Sequence, residues 1–355
     1  MFTRHTGVLL TSLLSLLAGC GKAAVNSPVV ELSATGDTVL TSYGDITEAA
    51  WLGGSRWAVV SPGDDAVGLI DFTARRVNPL GPKQFRHPST VFVVADTLYV
   101  GDWGLRLLTL WTLQGNRLRS IPAANIVRGT LPRARDTAGR FYLDEYPPAG
   151  PDGSGNRDSA AVVRLDGGFT RLDTIARLAP LDIAEVTGDA GRRFERRVFS
   201  GQDRWGILAD GSLWLARVYS NRVDWRSPDG KWLKGQSLPD RILEVTRYDR
   251  ELFLRKFPPE LRATAQELPF AALKPPFESG LTQDPDRVWL EKSRAPADSA
   301  RRYHVVGRQG KLLGEIRLRG QGRILAFGGD RALVAEPSPQ GVRLIAVRLP
   351  AGAGP

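Results

Sequence analysis

Short runs of alternating apolar and polar residues, each closed by a tight turn, recur along the 355 residues of this chain. The clearest copy is Arg204–Leu233, in which Asp210-Gly211 and Asp229-Gly230 mark two of the turns. Alternation with a period of two, bounded by Asp-Gly pairs, is typical of antiparallel strands joined by tight turns. The segment is therefore predicted to form four short strands in a meander.

Six copies of this pattern can be aligned on the turn that precedes the second strand. They are Ser55–Val59, Asp96–Val100, Gly139–Leu143, Gly211–Leu215, Asp286–Leu290 and Asp330–Val334. Successive copies start 41, 43, 72, 75 and 44 residues apart. Three of these spacings match the ~40–50-residue period of a propeller blade, and the other two match one blade plus an insertion. We therefore predict an all-β fold over residues 29–350, a six-bladed β-propeller of four-stranded antiparallel blades.

The sixth copy ends after three strands, so its fourth strand must come from elsewhere in the chain. The alternating segments Val29–Leu32 and Thr38–Thr41 precede the first copy and have no other predicted partner. We expect one of them to pair beside Val342–Leu349 and close the ring, because closure removes an exposed sheet edge.

The two insertions fall at about residues 176–200 and 241–278. The first is rich in charge and is expected to form a short helix or a flap. The second is predicted to contain a helix at Leu261–Leu268, because the preceding Pro259 and Glu260 favour a helix start. Ordered lids on one face are the interpretation that we favour for both insertions.

The N-terminal residues predict an export signal. Arg4 is followed by an apolar stretch that is too short to span a bilayer, as in a signal peptide covering residues 1–19. Leu17–Cys20 resembles the bacterial lipobox, which implies that Cys20 carries acyl chains such as palmitate and is followed by a tether up to residue 28. Acyl chains of this kind anchor a protein stably. Because Gly21 stands where inner-membrane retention would show Asp, the resemblance favours the outer membrane of the bacterial cell envelope.

The strand motifs also resemble a known group of folds. Asp210–Leu215 and Pro285–Leu290, an acidic turn followed by a hydrophobic residue, Trp and Leu, look like the repeats of TolB-like and NHL-like six-bladed propellers. Members of this group include binding proteins, lactonases, lyases and scaffolds, so the resemblance implies a fold without choosing a function.

Composition narrows the partners. The formal net charge is +10, but the arginines are scattered singly, which predicts no nucleic-acid interface. Either an anionic partner or biased codon usage explains that charge. Cys20 is the single cysteine, so an internal disulfide and a cysteine-based zinc site are excluded. We expect a monomer that contacts the membrane through its anchor and binds a protein, glycan or lipid of the envelope.

The candidate ligand-binding residues follow the second strands, because the loops that start there often edge one mouth of a propeller channel. They are Asp102, Trp103, Glu145, Tyr146, Arg217, Tyr219, Glu291 and Glu336. Carboxylates, arginine and aromatic rings at equivalent positions of five repeats favour a polar ligand. Solvated hairpin tips are the alternative interpretation.

Three functions remain open, and the one with the least support is sensing of a small polar ligand with the two insertions as lids. The absence of a nucleophile elbow or phosphate-binding motif favours a binding protein without a cofactor. The alternative is a metal-dependent, lactonase-like hydrolase with Asp102, Glu145, Glu291 and Glu336 around the channel, for which calcium is the expected metal. Asp152–Asp158 also spaces oxygen ligands as calcium loops do, but it lacks a glutamate at the twelfth position, so a plain hairpin loop is favoured.

Overall fold

The computed structural model describes residues 28–146, 160–188 and 191–350. Cys20 and the loop Asp152–Asp158 lie outside these residues. Within them the regular structure is almost entirely β, with six four-stranded antiparallel blades and two short α-helices. The predicted six-bladed β-propeller is confirmed.

Two strands precede the blades, β1 (Val29–Leu32) and β2 (Gly36–Thr41). Blade 1 contains Glu48–Gly53, Arg56–Ser61, Ala66–Asp71 and Arg76–Pro79. Blade 2 contains Pro88–Val94, Thr97–Asp102, Leu107–Thr112 and Arg117–Pro122. Blade 3 contains Ala134–Arg135, Phe141–Glu145, Ala161–Leu165 and Leu172–Arg177.

Blade 4 contains Arg204–Ile207, Leu213–Arg217, Arg222–Arg226 and Trp232–Leu233. Blade 5 contains Phe277–Asp284, Arg287–Lys292, Ala300–Gly307 and Leu312–Arg319. Blade 6 contains Arg323–Gly328, Arg331–Ser338 and Gly341–Arg348, together with β2. The first strand of each blade is innermost. We call the face with the loops between second and third strands the upper face, and the opposite face the lower face.

The N-terminal segment closes the ring as predicted. β2 pairs antiparallel with Gly341–Arg348, with Val39 opposite Leu344, so Thr38–Thr41 belongs to the closing strand. The other candidate, β1, has a separate place, since it pairs in parallel with Leu312–Arg319 and gives blade 5 a fifth strand. One short stretch of chain therefore joins the outer edges of two blades.

Bulky side chains of the second strands fill the space between neighbouring blades. Trp57, Tyr142, Trp214 and Trp289 are each no more than 1% exposed. Trp214 packs in one cluster with Val288 of blade 5, so that each such residue joins two sheets. Burying an aromatic side chain of this size contributes about 4–6 kcal/mol.

The first insertion is a flap rather than a helix. It forms an antiparallel hairpin of Ile183–Gly188 and Gly191–Arg196 between blades 3 and 4. The second insertion, between blades 4 and 5, contains α1 (Arg247–Leu254), a 3-10 turn at Pro259–Leu261 and α2 (Arg262–Gln266). The predicted helix at Leu261–Leu268 is thus present in a shorter form.

The predictions missed α1, although the sequence carries its start signal. The side chain of Thr246 accepts a hydrogen bond from the Asp249 amide at 3.2 Å, and Asp249 accepts one from the Thr246 amide at 2.9 Å. This reciprocal pair is a capping box. Lys274 lies 2.5 Å from the Asp249 carboxylate and also donates to the Arg294 carbonyl, which ties α1 to blade 5.

The two insertions pack on each other. The rings of Phe199 and Phe253 are 5.9 Å apart, and Arg193 forms an ion pair with Glu267 at 2.9 Å. Both insertions connect a fourth strand to the next first strand, so both lie on the upper face. We call this unit, the hairpin with α1 and α2, the cap.

Ring closure can be tested within β2. Val39→Asp places an unpaired carboxylate at a site that is 4% exposed, so we expect the free energy of unfolding to fall by about 3–5 kcal/mol. The neighbour Leu40 points outward and is 45% exposed, so Leu40→Asp should change it by less than about 0.5 kcal/mol. Denaturant unfolding followed by tryptophan fluorescence measures both. Equal losses would contradict the assigned register.

Candidate functional site

The inner strands surround a central cavity of about 740 Å³, which reaches the start of the first strands at the upper face. Aromatic and aliphatic side chains, among them Trp51, Phe92, Trp214 and Phe327, line part of this cavity. Charged side chains line its upper end. A cavity of this size can hold a small ligand, and its lining is mostly polar.

Five of the charged residues that line the cavity occupy equivalent positions in five blades. Each lies at, or next to, the start of a first strand, where the chain enters the channel from the upper face. They are Glu48, Arg133, Arg204, Glu278 and Arg323. We call these five residues the mouth ring. The same position in blade 2 is occupied by Thr90, an uncharged residue whose side chain hydrogen-bonds Glu48.

Glu48 connects blades 1 and 2. Its Oε2 accepts a hydrogen bond from the Val91 amide at 3.3 Å, and its Oε1 lies 3.8 Å from the Arg133 guanidinium. Burial raises the pKa of Glu48, and Arg133, Thr90 and Val91 offset only part of that rise. Glu48 therefore takes up a proton at a higher pH than an ordinary glutamate.

Arg133 is the paired cation of the mouth ring. Its Nη1 lies 3.4 Å from Asp144 Oδ2, and its guanidinium stands 5.8 Å from the centre of the Trp205 ring. Burial acts to lower the pKa of Arg133, but Asp144 and Glu48 outweigh it and raise that pKa.

Arg204 is the least compensated cation. Its Nε donates to the Glu278 carbonyl at 3.0 Å, and its two terminal nitrogens have no hydrogen-bond partner among the described residues. Burial lowers the pKa of Arg204, and the neighbouring cations Arg133 and Arg196 lower it further. A desolvated guanidinium beside two others favours an anion brought by a ligand.

Glu278, in the blade next to that of Arg204, also has a shifted pKa. Its side chain reaches channel water, but the surrounding protein raises the pKa of this carboxyl, and the nearby Glu291 adds to the rise. The cap reaches the mouth ring through Arg196, whose Nη1 donates to Gln202 in the cavity wall at 2.9 Å.

None of the eight residues predicted from the sequence lines this cavity. Three of them contact residues of the cavity wall: the Tyr146 hydroxyl donates to Asp144 Oδ2 at 3.4 Å, Glu291 accepts from Ser279 at 3.0 Å, and Arg217 forms an ion pair with Asp203 at 3.2 Å. Tyr219 is 69% exposed, and its hydroxyl lies beside Pro180. Trp103 is 53% exposed on the upper face of blade 2. Their binding of a ligand stays a prediction.

The four predicted carboxylates each have separate partners. Asp102 accepts from the Arg86 and Leu105 amides, Glu145 from Arg128, Glu291 from Ser279 and Arg301, and Glu336 from Arg343. Within the described ranges, no three His, Cys, Asp or Glu side chains are grouped so that they could hold a metal ion. The carboxylates therefore do not converge.

The sequence did carry a signal for the mouth ring. Charged residues recur at or near the start of five of the six first strands, at Glu48, Arg133, Arg204, Glu278 and Arg323. An alignment of the repeats on the second strand favours the loops that follow that strand, and so it does not indicate these residues.

No protein-family model matches the chain, and no curated protein sequence matches it. Similar solved structures include a calcium-binding protein, regucalcin, from Agrobacterium tumefaciens, at 9% identity over 91% of this chain and 97% of that chain, with a TM-score of 0.48. A streptogramin B lyase has 9% identity over 88% and 97%, with a TM-score of 0.49. A gluconolactonase from Xanthomonas campestris has 14% identity over 87% and 89%, with a TM-score of 0.48. Similarity at this level assigns no ligand or activity to the chain.

The two neighbouring arginines predict opposite effects on stability. Arg204→Gln removes a cation whose neighbours disfavour it, so we expect the free energy of unfolding to rise, by up to about 1 kcal/mol. Arg133→Gln removes the partner of Asp144 and Glu48, so we expect the free energy of unfolding to fall by a similar amount. Denaturant unfolding of both variants, in parallel with the wild type, measures the signs. A loss of stability in Arg204→Gln would show that this guanidinium is already compensated.

Proposed function

We propose that this protein is a lipid-anchored binding protein of the bacterial cell envelope, which holds an anionic envelope ligand in its central channel. Arg204 is the observation that carries the proposal, because it presents terminal nitrogens without a partner among the described residues to an open cavity. A guanidinium forms paired hydrogen bonds with a carboxylate or a phosphate, so the ligand carries one of these groups.

The remainder of the channel limits the ligand further. The volume of about 740 Å³ admits a small molecule or one end of a larger one. Trp51, Phe92 and Phe327 provide apolar and aromatic surface below the mouth ring. We infer a ligand whose anionic group faces Arg204 and whose less polar part extends along the channel.

Binding is the function that we propose over catalysis. No arrangement among the described residues favours the metal-dependent hydrolase over binding. Anchoring through Cys20 rests on the lipobox resemblance. No helix in the described part of the chain is both long and apolar enough to cross a membrane.

The anion site is tested with a panel of citrate, glucose 6-phosphate and an uncharged disaccharide, with thermal unfolding as the readout. We expect the anions to raise the Tm of the wild type and the uncharged sugar to leave it unchanged. Arg204→Ala should abolish the shift. Arg348→Ala, which removes a lower-face arginine that is 83% exposed, is the matched control and should keep it. An anion-dependent shift that survives Arg204→Ala would contradict the proposed site.

The same site predicts a dependence on pH. The pKa values of Glu48 and Glu278 lie above the ordinary range of a glutamate. As the pH falls through these raised values, both carboxylates are neutralised and stop opposing an incoming anion. We therefore expect anion affinity, measured by calorimetry, to increase as the solution becomes more acidic. The double variant Glu48→Gln, Glu278→Gln should bind tightly at both ends of the pH range, and a wild-type affinity that falls with acidity would contradict the assignment.

The anchor is tested by metabolic labelling with radioactive palmitate and by membrane fractionation. We expect the wild type to be labelled and to sediment with membranes, and Cys20→Ala to be unlabelled. Because Cys20 is the single cysteine, no other thiol provides an acylation site. An unlabelled wild type would overturn the anchor.

A further inference from the structure

The described chain begins at the lower, outer edge of blade 5. The Pro28 carbonyl accepts a hydrogen bond from the Glu315 amide at 2.9 Å, and β1 then runs upward beside the outermost strand of that blade. Seven residues separate Cys20 from Pro28. At about 3.5 Å for each residue, Pro28 can lie no further than about 28 Å from the attachment point. If Cys20 carries a lipid, this edge stays close to the bilayer.

The adjoining surface combines exposed apolar residues from blades 4 and 5. Trp232 and Leu233, which form the outermost strand of blade 4, are 44% and 48% exposed. Leu233 lies on the side of this strand that faces blade 5, whereas the Trp232 ring lies on the other side, 5.8 Å from the Arg217 guanidinium. Leu313 and Val29, at the edge of blade 5, are 43% and 48% exposed. The two edges touch, because the Gln236 amide donates to the Gly310 carbonyl at 3.2 Å.

Lysines surround these apolar residues. Lys231, Lys234 and Lys311 are exposed, and they are three of only eight lysines in the chain. Lys231 forms an ion pair with Asp229 at 3.0 Å, whereas Lys234 and Lys311 have no carboxylate partner among the described residues. Trp232 also borders a pocket of about 210 Å³ that includes Arg226 and Arg308.

Acidic groups nearby reduce this charge without cancelling it. Arg308 lies 3.5 Å from Asp210 and 3.8 Å from Asp286, so its charge is partly balanced. Of the two lysines without a carboxylate partner among the described residues, Lys311 directly precedes the strand that pairs with β1, and Lys234 lies on the neighbouring edge of blade 4. The surface is therefore both apolar and positive at the point where the chain leaves towards Cys20.

We propose that this lower edge, comprising Val29, Lys231–Lys234, Lys311 and Leu313, rests on the anionic lipid surface that holds the acyl chains of Cys20. The inference depends on the proposed anchor. Trp prefers the headgroup level of a bilayer, and lysine can extend its charge to the headgroups while its stem stays on apolar surface. Basic residues strengthen lipid anchoring by about fivefold for each lysine near the surface.

This contact fixes the orientation of the propeller. The mouth ring lies on the upper face, opposite the turns that carry Lys231 and Lys311, so it points away from the bilayer. The channel then receives ligands from the aqueous side of the membrane.

The test uses the full lipidated protein in vesicles of phosphatidylethanolamine and phosphatidylglycerol that contain a brominated phospholipid, which quenches nearby tryptophan fluorescence. We expect Trp232→Phe to remove most of the quenching. Trp103→Phe is the matched control, because Trp103 is 53% exposed on the upper face, and it should leave the quenching unchanged. Equal effects of the two variants would overturn the proposal.

Charge reversal provides the second measurement. Lys234→Glu with Lys311→Glu should reduce quenching several-fold. Lys83→Glu with Lys256→Glu reverses two exposed lysines elsewhere and should not, and vesicles of phosphatidylcholine alone should give the reduced value with the wild type. Flotation of the protein with the vesicles reports the anchor separately. A protein that does not float refutes the anchor, whereas one that floats with Trp232 unquenched refutes only the docking surface.

Discussion

Antiparallel pairing between β2 and the strand Gly341–Arg348 of blade 6 is the constraint on which the remaining architecture depends. It joins residues about three hundred positions apart, such as Thr41 and Val342, and so makes an open row of blades into a ring. Only in a ring do the first strands face a common axis. The five charged residues of the mouth ring come from distant parts of the sequence, and closure is what places them around one cavity.

The sequence was sufficient for the fold because a propeller is built from local signals. Turn glycines, strands with a period of two and a recurring spacing are each readable within about forty residues, and the buried Trp214 and Trp289 fall where those signals place them. The sequence limits the closing strand to two candidates, β1 and β2, but it does not decide between them. β1 and β2 both alternate, and only tertiary contacts decide which edge each one joins.

The site was less accessible to sequence reasoning. A charge at the end of a strand is as typical of a solvated terminus as of a channel, and nothing local distinguishes Arg204 from the exposed Arg348. Arg204 differs from Arg348 because two other cations lie near it, Arg133 from blade 3 and Arg196 from the cap. The start of α1 was available in Thr246 and Asp249, and it was missed because the prolines of that insertion drew the helix prediction downstream.

The parallel pairing of β1 has a mechanical consequence. Tension applied at Pro28 from below acts along the strand axis, so the register from Val29 with Glu315 to Leu32 with Leu318 is loaded in shear. All four residue pairs then bear the force together, whereas a strand peeled from its end would lose them in turn. Because β2 follows within four residues and is held in blade 6, force that passes β1 reaches a second ladder before the ring can open.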